Sequence, residues 1–357
     1  MAHLQDQSVK RMVIKRPLTE QYGGIQNEAR VLLALRNNLH ISRILAWRFQ
    51  QQAPIAASMA REAPPAAPSP PGYQDNFLTG LFGPVIAMEY LENGTLRGLR
   101  HRLEEGDIRA PNRVLWSIYL CLVRGCVAMA YPKPAAANGE PTLEEIPAPE
   151  TGKLGIQHRD LHLGNVMFGS TDPDVNEHNL IPIVKFIDFG RSAGLQEDNA
   201  LYEDDGRDDE ATGDNLLRIA RIMNILITLD DIYANVRYEN IITKARLLGD
   251  NIKHPRRTDL DGQIREIVCR SLAEEAAERP GLADMLARTK AGAAKPPRSY
   301  RFGARREMDA AIREFVQRNI YDAAENAPLF GGASASDAFP APAELPEIPN
   351  LSPLRIS

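Results

Sequence analysis

The chain has 357 residues, with 42 basic and 47 acidic side chains and a net charge of −5. That length supports one large or two small domains with a sizeable core, and the charge balance points away from nucleic acid and membrane surfaces as partners. Hydrophobic residues make up 43% and charged residues 25%, as in an ordinary globular chain. Cys121, Cys126 and Cys269 have no disulfide or metal-ligand spacing. Cys121 and Cys126 fall in an apolar helical pattern and read as small core residues. A reducing compartment is expected, cytoplasmic or nuclear. The N-terminal residues carry no apolar run suited to a signal peptide, and no transmembrane helix is expected.

In chain order, residues 11–18 form a short β-branched run ending at Pro17, a predicted strand. Residues 23–38 place Ile25, Ala29, Leu32, Leu33 and Leu35 near helical spacing. Residues 40–49 alternate as a strand. Residues 51–77 are rich in Ala and Pro and predict a disordered insertion. A strand is expected over 83–91, then a turn and a helix. Residues 112–131 are apolar on nearly every face, as in a buried central helix. Residues 133–153 predict a second low-complexity insertion. Short strands flank the polar turn between "NVMFG" and "IVKFIDF". Further helices are expected over 214–229, over 264–287 with a break at Arg279-Pro280, and over 304–324. In the last of these, Met308, Ile312, Phe315, Val316 and Ile320 share one face. The basic residues between 288 and 306 read as a solvated linker, and residues 327–357 as a disordered tail.

Residues 157–165 read "QHRDLHLGN", with Asp160 and Asn165 five apart, and "FIDFG" follows at 186–190. Phosphoryl transfer needs phosphates held in line, metal ions that neutralise developing charge, and a group that takes the acceptor proton. Mg²⁺ prefers hard oxygen ligands, such as a carboxylate with an amide oxygen. Over residues 9–290 the sequence resembles the eukaryotic protein kinases. "HRDLHLGN" is similar to their catalytic loop, and Asp188-Phe189-Gly190, 28 residues after Asp160, to their metal-binding turn.

The resemblance implies an α+β, bilobal fold: a strand-rich N-lobe over residues 1–91 and a mainly helical C-lobe over 92–326. It implies an ATP- and Mg²⁺-dependent enzyme acting on a protein Ser/Thr hydroxyl. Asp160 would be the catalytic base, and Asn165 and Asp188 the metal ligands. "VIK" at 13–15 makes Lys15 the anchor for the ATP phosphates and Glu28 its ion-pair partner; Lys10 and Glu20 are the alternative positions. "IAMEYLENGTL" resembles the hinge, with adenine meeting backbone groups of Glu89 and Leu91 behind Met88. Asp214 resembles the aspartate that opens the central helix and braces the catalytic loop.

Three departures accompany the resemblance. Fourteen residues precede Lys15 and none is glycine, so the phosphate-covering hairpin and first two strands are expected to be missing. His162 stands two after Asp160, where Ser/Thr kinases usually have Lys; in this it resembles the aminoglycoside and choline kinases. Only 23 residues separate Gly190 from Asp214, with no A-P-E motif and a dense acidic run. Those carboxylates read as a solvated loop or as a stand-in for an activating phosphate near Arg159. A pseudokinase scaffold and a small-molecule kinase remain the alternative readings.

Overall fold

The structure is a computed structural model that describes residues 11–17, 23–49, 78, 83–133, 140–147, 153–194, 207–249, 259–300 and 304–322. The chain folds as α+β. A three-stranded antiparallel sheet is built from β1 (Met12–Lys15), β2 (Ile44–Phe49) and β3 (Pro84–Glu89) in the order β1-β3-β2. β3 is the centre strand, and its all-apolar interior, Val85, Ile86 and Ala87, is fully buried. β1 is an edge, and Met12, Val13 and Ile14 remain 38–47% exposed on it. Register pairs Lys15 with Ile86 and Met12 with Glu89.

Helix α1 (Gly23–Ala34) packs on this sheet through Ile25, Ala29 and Leu32, spaced four and three apart as one helical face requires. Glu28 lies on the same buried face. A carboxylate there needs a cation, and that requirement fixes the geometry of the site.

The remaining elements are mainly helical. Thr95 caps α2 (Leu96–Glu105) by accepting from the Gly98 N–H at 3.1 Å. Helix α3 (Asn112–Ala130) is the one described helix long and apolar enough to cross a membrane, yet it is 94% buried among its neighbours. Glu307, itself buried, accepts from the backbone N–H groups of Asn112 and Arg113, so a carboxylate sits on the positive end of α3. The hairpin β4 (Val166–Phe168) and β5 (Val184–Phe186) pairs Val166 with Phe186. Helices α4 (Arg207–Thr228), α5 (Gly262–Ser271), α6 (Leu282–Ala293) and α7 (Asp309–Val316) complete this part. A contiguous apolar core runs from Ile25 of α1 through α3 to Ile320.

Several expectations change. Helix α4 begins at Arg207, so Asp214 lies inside it and does not open it. The hairpin β6 (Val236–Tyr238) and β7 (Ile241–Thr243) has no counterpart in the sequence reading. Residues 140–147 of the expected low-complexity insertion are packed: Glu144 is buried, and Thr142 exchanges backbone bonds with Asn37 and Leu39. Met308 is 53% exposed, because α7 starts one residue after it; Ile312, Phe315, Val316 and Ile320 are buried. The basic residues after 288 are largely engaged: Arg288 pairs with Glu266, Lys290 with Glu145, and Arg306 with Asp259. The insertion over 51–77 and the tail from 327 lie wholly outside the described residues.

Candidate active site

Three elements converge on one cation. Lys15 Nζ, at the end of β1, lies 2.6 Å from Glu28 Oε2 of α1 and 2.7 Å from Asp188 Oδ1 after β5. The alternative anchors Lys10 and Glu20 lie outside the described residues. Burial opposes the charge on Lys15, but the two carboxylates outweigh it and raise the ammonium above its ordinary range. Burial raises Glu28, with Lys15 offsetting part of the effect. Burial also works to raise Asp188, but the Lys15 contact prevails and holds its carboxyl below the usual range. Asp188 therefore stays ionised at neutral pH.

Sequence reasoning missed Asn27. Its Nδ2 donates to the carbonyls of Ser192 at 2.8 Å, Gly190 at 3.3 Å and Phe189 at 3.4 Å, which fastens α1 to the turn that carries Asp188. Asn27 precedes Glu28, so the two side chains leave adjacent positions of α1 toward one turn.

Backbone strain marks the same place. Arg159 has φ 63° and Asp188 φ 62°, a region that non-glycine residues enter at a cost of about 1–3 kcal/mol. The surroundings hold both. His158 is fully buried, its Nε2 is 3.1 Å from the Ile187 carbonyl oxygen, and its ring lies 4.7 Å from that of Phe189. Asn215, not Asp214, braces the loop: its Oδ1 accepts from the His158 N–H at 3.1 Å and its Nδ2 donates to the Ile156 carbonyl at 2.8 Å. Asp214 instead pairs with Arg218 one turn along α4.

Asn165 Nδ2 donates to the Asp160 carbonyl at 2.9 Å. The amide oxygen of Asn165 is thereby the atom left to act as a ligand. Asp160 Oδ1 lies 3.8 Å from both Arg191 Nη1 and His162 Nε2. Both separations are too long for hydrogen bonds, so the carboxylate keeps accepting capacity. His162 caps the short 3₁₀ turn Leu163–Asn165, its Nδ1 accepting from the Gly164 N–H at 2.9 Å. With Nδ1 accepting, the ring N–H belongs to Nε2, the nitrogen 3.8 Å from Asp160 Oδ1.

In the segment expected to form the hinge, Met88 and Leu91 are buried. The Glu89 carboxylate accepts from Lys185 Nζ and from the Arg43 N–H, both at 2.7 Å, so its side chain ties the sheet to β5.

No family model and no curated protein matches the chain. Among solved structures it is similar to one described as "Crystal structure of Rad53 kinase domain and SCD2". The two share 13% identity at a TM-score of 0.46, covering 80% of this chain and 82% of that one. The likeness is one of fold. At that strength it carries no weight about activity, which has to be read from the chain's own residues.

Beside the loop that carries Asp160 lies a cavity of about 460 Å³ whose lining includes His162, Arg97, Arg100, Arg218, Arg221 and Tyr233. Arg221 stacks on Tyr233 at 5.3 Å, and Arg218 is held by Asp214. The acidic stretch after Gly190, expected to act near Arg159, falls mostly outside the described residues; the Arg159 side chain contacts Gln157.

Proposed function

We propose that the chain is an ATP- and Mg²⁺-dependent phosphotransferase of the protein-kinase type, moving the γ-phosphoryl group to a Ser/Thr hydroxyl of a protein inside the cell. The observation that carries this reading is Lys15 bridging Glu28 and Asp188 at 2.6 and 2.7 Å. A scaffold without turnover has no chemical need to align those three groups with Asp160 and Asn165. The donor set also fits the metal: an ionised Asp188 and the free amide oxygen of Asn165 are hard oxygen ligands. When bound, Mg²⁺-ATP supplies the phosphoryl group and the charge neutralisation that its transfer needs.

The chain's own residues do the rest. Lys15 is positioned to neutralise the α- and β-phosphates, and Glu28 keeps it extended toward them. Backbone groups of Glu89 and Leu91 meet the adenine edge. Asp160 orients the acceptor hydroxyl and takes its proton as the oxygen attacks. His162 Nε2 stands beside that carboxylate at 3.8 Å.

A second reading, a kinase of small hydroxyl compounds bearing an anionic group, is favoured by the arginine-lined cavity next to His162. Purified protein with Mg²⁺ and labelled ATP should label itself or a generic protein acceptor. Asp160→Asn should lower that rate by about 10²–10⁴-fold while keeping a Mg²⁺-dependent thermal shift with ATP. Labelling equal in Asp160→Asn would sink both readings. Transfer only to small phosphorylated or carboxylated alcohols would favour the second.

A further inference from the structure

We propose that His40, Cys121 and His178 form a structural zinc site, separate from the phosphoryl-transfer site. His40 lies between α1 and β2, Cys121 in the middle of α3, and His178 between β4 and β5. Their exposures are 0, 1 and 1%, and their ligand atoms all lie within 4.8 Å of one another. The two imidazole rings meet edge to face with centroids 5.2 Å apart.

The side chains around them fit ligand duty. Glu144, itself 1% exposed, accepts from the His40 backbone N–H at 2.8 Å and lies 2.6 Å from His40 Nδ1. A carboxylate on Nδ1 fixes the tautomer and leaves Nε2 as the ligand atom. His40 Nε2 and both ring nitrogens of His178 are buried with no hydrogen-bond partner. Each such orphan costs about 1–3 kcal/mol. One thiol carries one proton, so the Cys121 S–H cannot satisfy three nitrogens. A cation that accepts their lone pairs removes the deficit.

The donor set selects the ion. One thiolate and two imidazoles suit Zn²⁺ and are poor ligands for Mg²⁺ or Ca²⁺, which require oxygen. With Zn–S of about 2.3 Å and Zn–N of about 2.0 Å, tetrahedral ligand atoms sit roughly 3.3–3.6 Å apart. At the longest separation the three side chains must therefore draw in by up to about 1.5 Å. Water takes the fourth position. Burial gives the site a structural role. It clamps the segment before β2 to α3 and to the loop before β5, where the His40 carbonyl already accepts from the Phe186 N–H and the Ser42 N–H donates to the Phe186 carbonyl. Arg124 reinforces the same junction by binding Glu177 at 2.5 Å and the Glu144 carbonyl.

The full chain, stripped with chelator and reconstituted with ZnCl₂, should hold about one zinc by elemental analysis and gain about 5 °C or more in thermal midpoint. Cobalt substitution should give a thiolate-to-cobalt absorption band. A Cys126→Ala/Cys269→Ala variant, with Cys121 as its sole thiol, should keep the band and the zinc; Cys121→Ser and His178→Ala should lose both. Wild-type protein that takes up no zinc and shows no thermal response to ZnCl₂ overturns the proposal. So does undiminished zinc in both Cys121→Ser and His178→Ala. Should those two variants fail to fold, absence of the cobalt band in the sole-thiol variant overturns it instead.

Discussion

Lys15 Nζ and Asp188 Oδ1 are 2.7 Å apart across 173 residues of chain, and Glu28 closes the other side of the ammonium at 2.6 Å. Removing the cation leaves Glu28, 1% exposed, without its partner. An unsatisfied buried polar group costs about 1–3 kcal/mol, so Lys15→Met should lower stability by that order. Lys15→Met/Glu28→Leu should recover most of the loss, because it removes both charges together. Neither variant should transfer phosphate. Urea titrations of the wild type, both singles and the double give the coupling; a double no more stable than Lys15→Met contradicts it.

Asn215 and Asp214 are neighbours with opposite expected importance. Asn215 makes two buried hydrogen bonds to the backbone at His158 and Ile156. Asn215→Ala should cost roughly 2 kcal/mol or more and reduce turnover, with ATP binding kept. Asp214→Ala removes one half-buried i,i+4 pair within α4 and should change stability by under about 1 kcal/mol. Thermal midpoints and initial rates of the two variants separate them. Equal effects, or a larger one for Asp214, would show that Asp214 braces the loop after all.

His158 predicts a pH dependence. Burial lowers its imidazole below 6.5; Asp160, Asp188 and the Ile187 carbonyl act the other way but do not overcome it. A depressed folded value means that the unfolded chain takes the proton more readily. The stability contributed by neutral His158 is therefore present above about pH 6.5 and is lost as pH falls below it. Between about pH 7 and pH 5.5 the wild type should lose stability more steeply than His158→Phe. Denaturant midpoints across that range test it, and parallel slopes would contradict it.

The segments carrying Asp160, Asn165 and Asp188 could be picked out because the motif they resemble has fixed side-chain types at fixed offsets, and the structure brings Asp188 to Lys15 at 2.7 Å. Glu28 was named as the ion-pair partner of Lys15 from the family resemblance, and the two lie 2.6 Å apart. Asn215 was not, because an Asp after Gly213 reads as a helix start, and here the helix had begun at Arg207. The β6–β7 hairpin has three-residue strands around Glu239 at φ 49°, with no glycine to announce the turn. Glu144 was hidden by the Pro- and Ala-rich composition around it. Cys121 reads correctly as buried in an apolar helix, but its meeting with His40 and His178 is a tertiary fact that no spacing encodes.

Gly125 connects the core to the site. A Cβ there would lie 2.5 Å from Phe186, which sits two residues before Asp188 on β5. Gly125→Ala should therefore cost about 1–3 kcal/mol by overpacking. It should also slow phosphoryl transfer, because the aromatic ring must move the strand that leads to Asp188. Gly213→Ala, with nothing within 4 Å of the added carbon, is the matched control. Equal thermal midpoints for the two variants would refute the coupling.

Asn27 has a consequence for regulation. One amide group is shared among three carbonyls of the turn after Asp188, while the next residue of α1 holds Lys15. Rotating the helix outward breaks the amide contacts and the ion pair in the same movement. Helix position and turn conformation are thus one degree of freedom in this chain, and a ligand that disturbs either one displaces both.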